Sequence, residues 1–374
     1  MRIVVLRPPN ELDDDRDVET RRLAALAELG HEVVVVAPPV RRLSAARVVM
    51  DLSLGRGLPP KPTVDPFAGT RVRFQPLDGD RLPREDEIPD ADVLLVTAAE
   101  LVPFAFELPF SKGAKVHLVT SHEQAAGDAS AAERARLEAC YRLPVHHVAT
   151  TNALGRILRE RYGDSAVAVV GTGIEPVFAS IERAPRASKP RVAFSLGAGT
   201  HEVLRLLARQ LENSLEPLPP FELEAFGHGP RPRIPGLPPL VRYTRGPSTE
   251  RRAELLAHLD VLVATRADDG FDVAAAEAMS TGVVVVGEAS GALPELAEGG
   301  AALVSPMSAF GLAQTLRQAL TLDDPTRRSM AARARAKIAS LTWERAADEL
   351  HGALSRVVAL EKGRRSRYGL AGTR

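Results

Sequence analysis

The sequence predicts an α/β protein built from two doubly wound halves in tandem, each a parallel sheet with helices on both faces. Three features predict it: continuous apolar runs of strand length, amphipathic segments of helix length between them, and one central stretch where the alternation stops. Continuous apolar runs of about four to eight residues mark strands buried on both faces, and such strands need crossover helices to cover them. The length of 374 residues suits two domains of roughly 100–200 residues each.

IVVL at 3–6 is the first such run; a helical pattern carries the chain to Leu29, Gly30 ends it, and VVVVA at 33–37 starts the next strand. DVLLVT at 92–97, KVHLVTS at 115–121, HVAT at 147–150 and AVAVVG at 166–171 repeat the theme. The segment ASIERAPRASKP at 179–190 breaks all periodicity with proline, arginine and serine, which places a linker there. Beyond it, RVAFSLG at 191–197, FELEAFG at 221–227, LVRYTRG at 240–246, DVLVATR at 260–266 and GVVVVGE at 282–288 are five more strand candidates. RPRIPGLPP at 231–239 reads as a surface loop. The expected domains are 1–178 and 190–344, joined by 179–189, with a last helix at about 345–362 returning to the first domain and a basic tail at 363–374. Open α/β sheets bind ligands at the carboxyl ends of their strands, so two Rossmann-like domains facing each other enclose a deep cleft.

Lys+Arg 48 balance Asp+Glu 48, and this neutrality argues against a nucleic-acid partner. The single cysteine, Cys140, excludes an internal disulfide framework and any multi-cysteine metal site. MRIVVLRPPN at the amino terminus is too short an apolar run for a signal peptide, and no stretch approaches the ~18 apolar residues of a spanning helix, so a cytoplasmic protein is expected. Lys362, Arg364, Arg365, Arg367 and Arg374 in the tail suit peripheral contact with anionic lipid, or a plain solvated end. Asp13, Asp14 and Asp15 form part of a solvated charge run, and no His/Cys spacing suggests zinc; no metal is expected.

The most informative stretch is RADDGFDVAAAEAMSTG at 266–282. It follows the strand candidate DVLVATR, and Asp272 is placed to cap the helix beginning at Val273. The ADDGF turn then sits at a helix start, where backbone N–H groups and the helix dipole favour an anion such as a pyrophosphate. Gly270 lets the backbone approach it. Asp269, ahead of the turn, can accept hydrogen bonds from sugar hydroxyls, and Glu277 can accept both hydroxyls of a ribose. Sugar, diphosphate and ribose in a row describe a nucleotide-sugar. A carboxylate on an Ala-rich helix is costly without company, so some partner must meet Glu277.

The stretch 269–282, followed by GALPEL at 291–296, resembles the donor-site signature of retaining family 4 glycosyltransferases of GT-B fold: an acid, a Gly-Phe turn, Glu-Ala-Met on a helix and a downstream Gly-x-Pro-Glu. Further segments are similar in the family's order. HEVVVVAPP at 31–39 resembles its Gly-His-Glu-Val strand, HLVTSHEQ at 117–124 its acceptor-side histidine loop, and EACYRLPVHHVATTNAL at 138–154 a subfamily helix-strand unit. VVGTGIEPVF at 169–178 resembles the turn into its linker, FGHGP at 226–230 its Gly-x-Gly-Pro and LTWERAADEL at 341–350 the helix that ends its second domain. The resemblance implies two Rossmann-like domains facing across a deep cleft. It also implies transfer of a sugar from a nucleotide diphosphate to a hydroxyl acceptor, glycan or lipid-linked, with retention and without metal or cofactor. It assigns His122 and Asp269 to the reacting sugar, and Gly197, Gly199, Thr200, Arg266, Gly270, Phe271, Asp272 and Glu277 to the donor.

The chain departs from that pattern in FSLGAGTHEVLRL at 194–206, where the family carries an arginine and then a lysine that clamp the diphosphate. Gly197, Ala198, Gly199, Thr200 and His201 stand there instead, and Arg205, Arg245 and Arg266 are candidate substitutes. Glu202 occupies the third glycine position of a dinucleotide fingerprint, which is therefore not supported. Asp269 is one methylene shorter than the family's glutamate, and Asp272 replaces a glycine of the turn. Plainer roles stand beside these: Asp268 and Asp269 as solvated loop acids, His122, His201 and His228 as ordinary satisfied histidines, and Trp343 as a packing anchor between domains. Two other functions share the fold: a catalytically weak relative that binds a glycan or nucleotide as a scaffold, and a nucleotide-sugar epimerase.

Overall fold

The computed structural model describes residues 1–8, 14–38, 65–79, 81–122, 130–197, 200–212, 217–265, 270–305 and 311–367. The apolar runs become two parallel sheets. The first contains β1 (Arg2–Leu6), β2 (Glu32–Ala37), β3 (Arg73–Pro76), β4 (Val93–Val96), β5 (Ala114–Val119), β6 (His146–Ala149) and β7 (Ala168–Val169), in the order β3-β2-β1-β4-β5-β6-β7. The second contains β8 (Arg191–Leu196), β9 (Glu222–Gly227), β10 (Leu240–Arg245), β11 (Val261–Val263), β12 (Val284–Glu288) and β13 (Leu303–Ser305), in the order β10-β9-β8-β11-β12-β13. Strand order reverses beside β1 in one sheet and beside β8 in the other, and such switch points open a crevice at the carboxyl ends of the strands.

The edge strands β3 and β13 were not expected, because half-exposed edge strands leave no continuous apolar run; RFQP and LVS are short and partly wet. AVAVVG contributes only the two residues of β7.

The helices that pack the sheets and shape the site include α1 (Asp14–Glu28), α2 (Ala131–Cys140), α3 (Asn152–Tyr162), α4 (Thr200–Glu212), α5 (Thr249–Ala257), α6 (Val273–Thr281), α7 (Leu293–Ala297), α8 (Gly311–Thr321), α9 (Asp324–Ile338) and α10 (Trp343–Arg367). They cover both faces of each sheet. Leu23 and Leu26 of α1 meet Ile3 and Val5 on one side of the first sheet, while Leu204 and Leu207 of α4 meet Val192 and Phe194 in the second. A buried leucine side chain contributes about 1.5–3 kcal/mol relative to an exposed one, so each such face stabilises its helix well beyond intrinsic propensity.

The chain crosses between domains twice. After β7 it enters the linker, which is held to the second domain where the Ala184 N–H donates to the Ala257 carbonyl at 3.0 Å. It returns at Trp343, whose indole N–H donates to Glu175 at 2.9 Å. The approach is close: a Cβ on Gly173 would lie 2.6 Å from the Trp343 backbone nitrogen. From there α10 packs against α1 and β5 of the first domain, burying Leu350, Ala353 and Leu354 among Ile3, Leu23 and Leu26. It runs to Arg367, past the end expected at 362. Among the described residues no helix is long and apolar enough to cross a membrane.

Candidate functional site

The Gly270–Phe271 turn leads directly into α6. Asp272 is the N-cap: its φ of −83° and ψ of 93° hold it extended while its carboxylate accepts the Ala275 N–H at 2.9 Å. An aspartate cap satisfies a helix-start donor and adds negative charge at the positive end of the dipole. This carboxylate is therefore turned back onto its own helix. Gly282, at φ 84°, ends α6 in the left-handed conformation that favours glycine.

Five residues along α6, Glu277 is 4% exposed and meets a partner that its position in the sequence demanded but did not identify. Arg252 of α5 grips it with a fork: Nη2 to Oε1 at 2.9 Å and Nε to Oε2 at 3.1 Å. Arg252 is itself 8% exposed; its guanidinium also donates to the Pro247 carbonyl and lies 6.0 Å from the Phe178 ring. The guanidinium orients the Glu277 carboxylate.

Thr200, the first residue of α4, and Thr265, just past β11, close the turn after β8. The Gly197 N–H donates to Thr200 Oγ1 at 2.8 Å, Thr200 Oγ1 lies 3.3 Å from Thr265 Oγ1, and Thr265 donates to the Ser195 carbonyl at 2.8 Å. Thr200 is buried, so its hydroxyl shapes the turn rather than facing solvent, while Gly197 is exposed at the strand end. Gly199, Arg266 and Asp269 lie outside the described residues. Arg205 is exposed on α4, and Arg245 is half-buried at the end of β10.

The turn faces the first domain. Phe271 and Val273 line a cavity of about 50 Å³ together with Val18, Glu19 and Arg22 of α1 and with Thr97, Thr120, Thr150 and Thr172. Those four threonines follow β4, β5, β6 and β7, at the carboxyl ends of the strands. Arg22 is 1% exposed and donates to Thr172 Oγ1 at 2.8 Å. Glu19 pairs with Arg7 at 2.8 Å. None of the first-domain residues of this cavity was singled out from sequence, although LVT, LVT and VAT at three successive strand ends were a visible signal.

His122 is also buried, in an aromatic cluster behind the strand ends. Its Nε2 lies 3.0 Å from the Tyr162 hydroxyl and its ring 5.4 Å from that of Tyr141. His117 and His147, register partners on β5 and β6, complete the cluster at 5.5 Å. Burial, reinforced by the charge of His147, pushes His117 down to about 3, so it is neutral at pH 7. His147 Nδ1 lies 3.0 Å from the Asp164 carboxylate.

A second contact joins the domains. Glu295 of α7 accepts the Ala153 N–H at 2.8 Å and the Asn152 side-chain amide at 2.9 Å, at the start of α3. A second-domain carboxylate thus sits on the positive end of a first-domain helix. A cavity of about 440 Å³ adjoins it, lined in part by Phe271, Thr150, Arg345 and Glu349.

Comparison with known proteins agrees with this architecture. The family model "Glycosyltransferase Family 4" matches residues 21–178, and "Glycosyl transferases group 1" matches residues 191–322. No curated protein is detectably similar to the chain in sequence. Among solved structures, Anabaena HepE with UDP and glucose is 13% identical with a TM-score of 0.67, covering 95% of this chain and 100% of its own. Sucrose-phosphate synthase from Thermosynechococcus elongatus is 15% identical with a TM-score of 0.65, covering 96% and 100%. WaaG, a lipopolysaccharide glycosyltransferase, is 16% identical with a TM-score of 0.60, covering 93% and 99%. At these identities the likeness shows the GT-B fold, and the two family models fall on the two domains in order. The chain belongs to the family 4-like group 1 glycosyltransferases.

Proposed function

We propose that this glycosyltransferase moves a hexose from a nucleotide diphosphate to a hydroxyl of a glycan or lipid-linked acceptor, with retention and without a metal. One observation carries the reading: Phe271 and Val273, at the N-terminus of α6, line a cavity jointly with the carboxyl ends of the first-domain strands. A donor whose diphosphate rests on that helix start presents its sugar to whatever the first domain holds. HepE, which shares the fold, is described with UDP and glucose and with UDP-glucose, which supports the donor class.

In this reading the start of α6 takes the diphosphate, with Gly270 and Phe271 forming the turn. Glu277, oriented by Arg252, holds the ribose, and Asp269 the sugar hydroxyls. The strand-end turn of Gly197, Gly199 and Thr200 flanks the phosphates, and Arg266 supplies a cation in place of the family's clamp. Asp272 contributes through its cap. His122 is assigned to the first-domain side of the reacting sugar. A scaffold role is the second reading, favoured by the absence of a cation at 197–201.

The test is product analysis. Each common nucleotide-sugar is incubated with a panel of sugar and lipid-linked acceptors in a chelator, and the anomeric proton coupling of the product is read by NMR. Turnover giving the donor's own anomeric configuration supports the reading; the opposite anomer overturns retention. Turnover that needs added metal overturns metal independence. Saturable nucleotide binding without any transfer favours the scaffold.

A further inference from the structure

We propose that the cavity between α1 and Phe271 is a polyol subsite: it takes the neutral hydroxyls of the acceptor's terminal sugar or polyol unit, held by Glu19, Thr97 and Thr120. The inference rests on the transferase reading and names its acceptor class.

Glu19 carries the argument. Its Oε2 pairs with Arg7 at 2.8 Å, while its Oε1 is fully buried and accepts no hydrogen bond among the described residues. Buried carboxylate oxygens are almost always matched with a donor, and an unmatched one costs roughly 1–3 kcal/mol. Glu19 lines the cavity, so the missing donor has a place to sit. Thr97 and Thr120 line it as well, and neither hydroxyl has a hydrogen-bond partner among the described residues.

Charge and size select the group. The lining holds both an anion, Glu19, and a cation, Arg22. A phosphate would meet the Glu19 carboxylate, and an ammonium would meet the Arg22 guanidinium. A hydroxyl satisfies both kinds of wall, because it donates to a carboxylate and accepts from a hydroxyl or guanidinium. The volume of about 50 Å³ admits one or two hydroxyl-bearing carbons, since a water takes about 30 Å³ of liquid. An alkyl chain would leave Glu19 Oε1 unmatched. Phe271 closes the cavity from the donor side, which brings a hydroxyl held there next to the turn that carries the donor.

The experiment separates this inference from the one beneath it. Nucleotide binding is measured first, by calorimetry, on the wild type, Thr120→Val and Glu19→Gln. Saturation-transfer NMR and transfer kinetics then use glycerol, myo-inositol, glucose, glucose 6-phosphate, glucosamine and octanol as probes. The expected result is unchanged nucleotide affinity in Thr120→Val, transfer to a neutral polyol, and a rise of about tenfold in that acceptor's KM. Glu19→Gln raises it further. Thr120→Val is nearly isosteric, so its fold survives even where Glu19→Gln is weakened. Nucleotide binding with no saturation of any polyol, with preference for the phosphate, the amine or octanol, or with acceptor KM unmoved by Thr120→Val overturns the subsite alone. Absence of nucleotide binding in the wild type overturns the transferase reading and the subsite with it.

Discussion

Arg252 and Glu277 face each other inside the second domain as a bidentate pair, 2.9 and 3.1 Å apart, each under one-tenth exposed. The pair ties α5 to α6 behind the Gly270–Phe271 turn. Such a pair is worth less than it costs to break, because removing one member strands a charge in an apolar setting.

Arg252→Met should therefore destabilise the fold by about 3–5 kcal/mol, while the double variant Arg252→Met/Glu277→Met recovers much of the loss. Urea midpoints of the two singles and the double, read as a cycle, check this. Additive losses would mean that the two residues do not depend on each other.

Asp272 separates a structural from an electrostatic effect at the same atom. Asp272→Ala removes the cap on Ala275 and should cost about 1 kcal/mol of stability. Asp272→Asn keeps a capping oxygen and removes a negative charge at the helix start, so nucleotide diphosphate affinity should rise about two- to fivefold. Thermal melts and titration of the same protein samples read both. Affinity unchanged in Asp272→Asn would place the diphosphate elsewhere.

Glu295 holds the two domains together at the start of α3. Glu295→Ala removes charge-assisted hydrogen bonds, a loss of about 1–3 kcal/mol between domains. Small-angle scattering should show a larger radius of gyration, and Glu295→Gln an intermediate one. Equal radii in all three proteins would show that the contact does not set the domain spacing.

His117 sets a pH dependence. Its folded value of about 3 lies below the ordinary histidine value of 6.5. From pH 6.5 downward the unfolded chain binds a proton that the folded chain refuses, so stability falls with pH through that window, by up to ~1.4 kcal/mol per unit. His31, also lowered by burial first and then by the terminal amine and His351, acts in the same direction. His117→Leu keeps an apolar volume and should flatten the slope of Tm between pH 6.5 and 4. An unchanged slope would assign the effect to other groups.

The fold was legible because strands buried on both faces appear as apolar runs; IVVL, VVVVA and DVLLVT become β1, β2 and β4 almost residue for residue. The edge strands β3 and β13 were hidden for the converse reason. In the site, the Asp272 cap was readable because capping is local. The Arg252–Glu277 pair was not: the need for a cation was evident from Glu277 in its apolar helix, but its source lies 25 residues away on another helix. Glu19 was lost for a similar reason, since its meaning comes from Arg7 and from threonines at four separate strand ends.

The most direct measurement of the central claim is a calorimetric titration of UDP, GDP, dTDP and ADP, with their common sugar conjugates, into the wild type and Glu277→Gln. The substitution keeps the size of the side chain and removes its charge. A donor site on α6 gives saturable micromolar binding by one nucleotide and its sugar conjugates, weakened at least tenfold by the substitution. No binding by any of them, or binding indifferent to Glu277, would contradict the donor site built on α6.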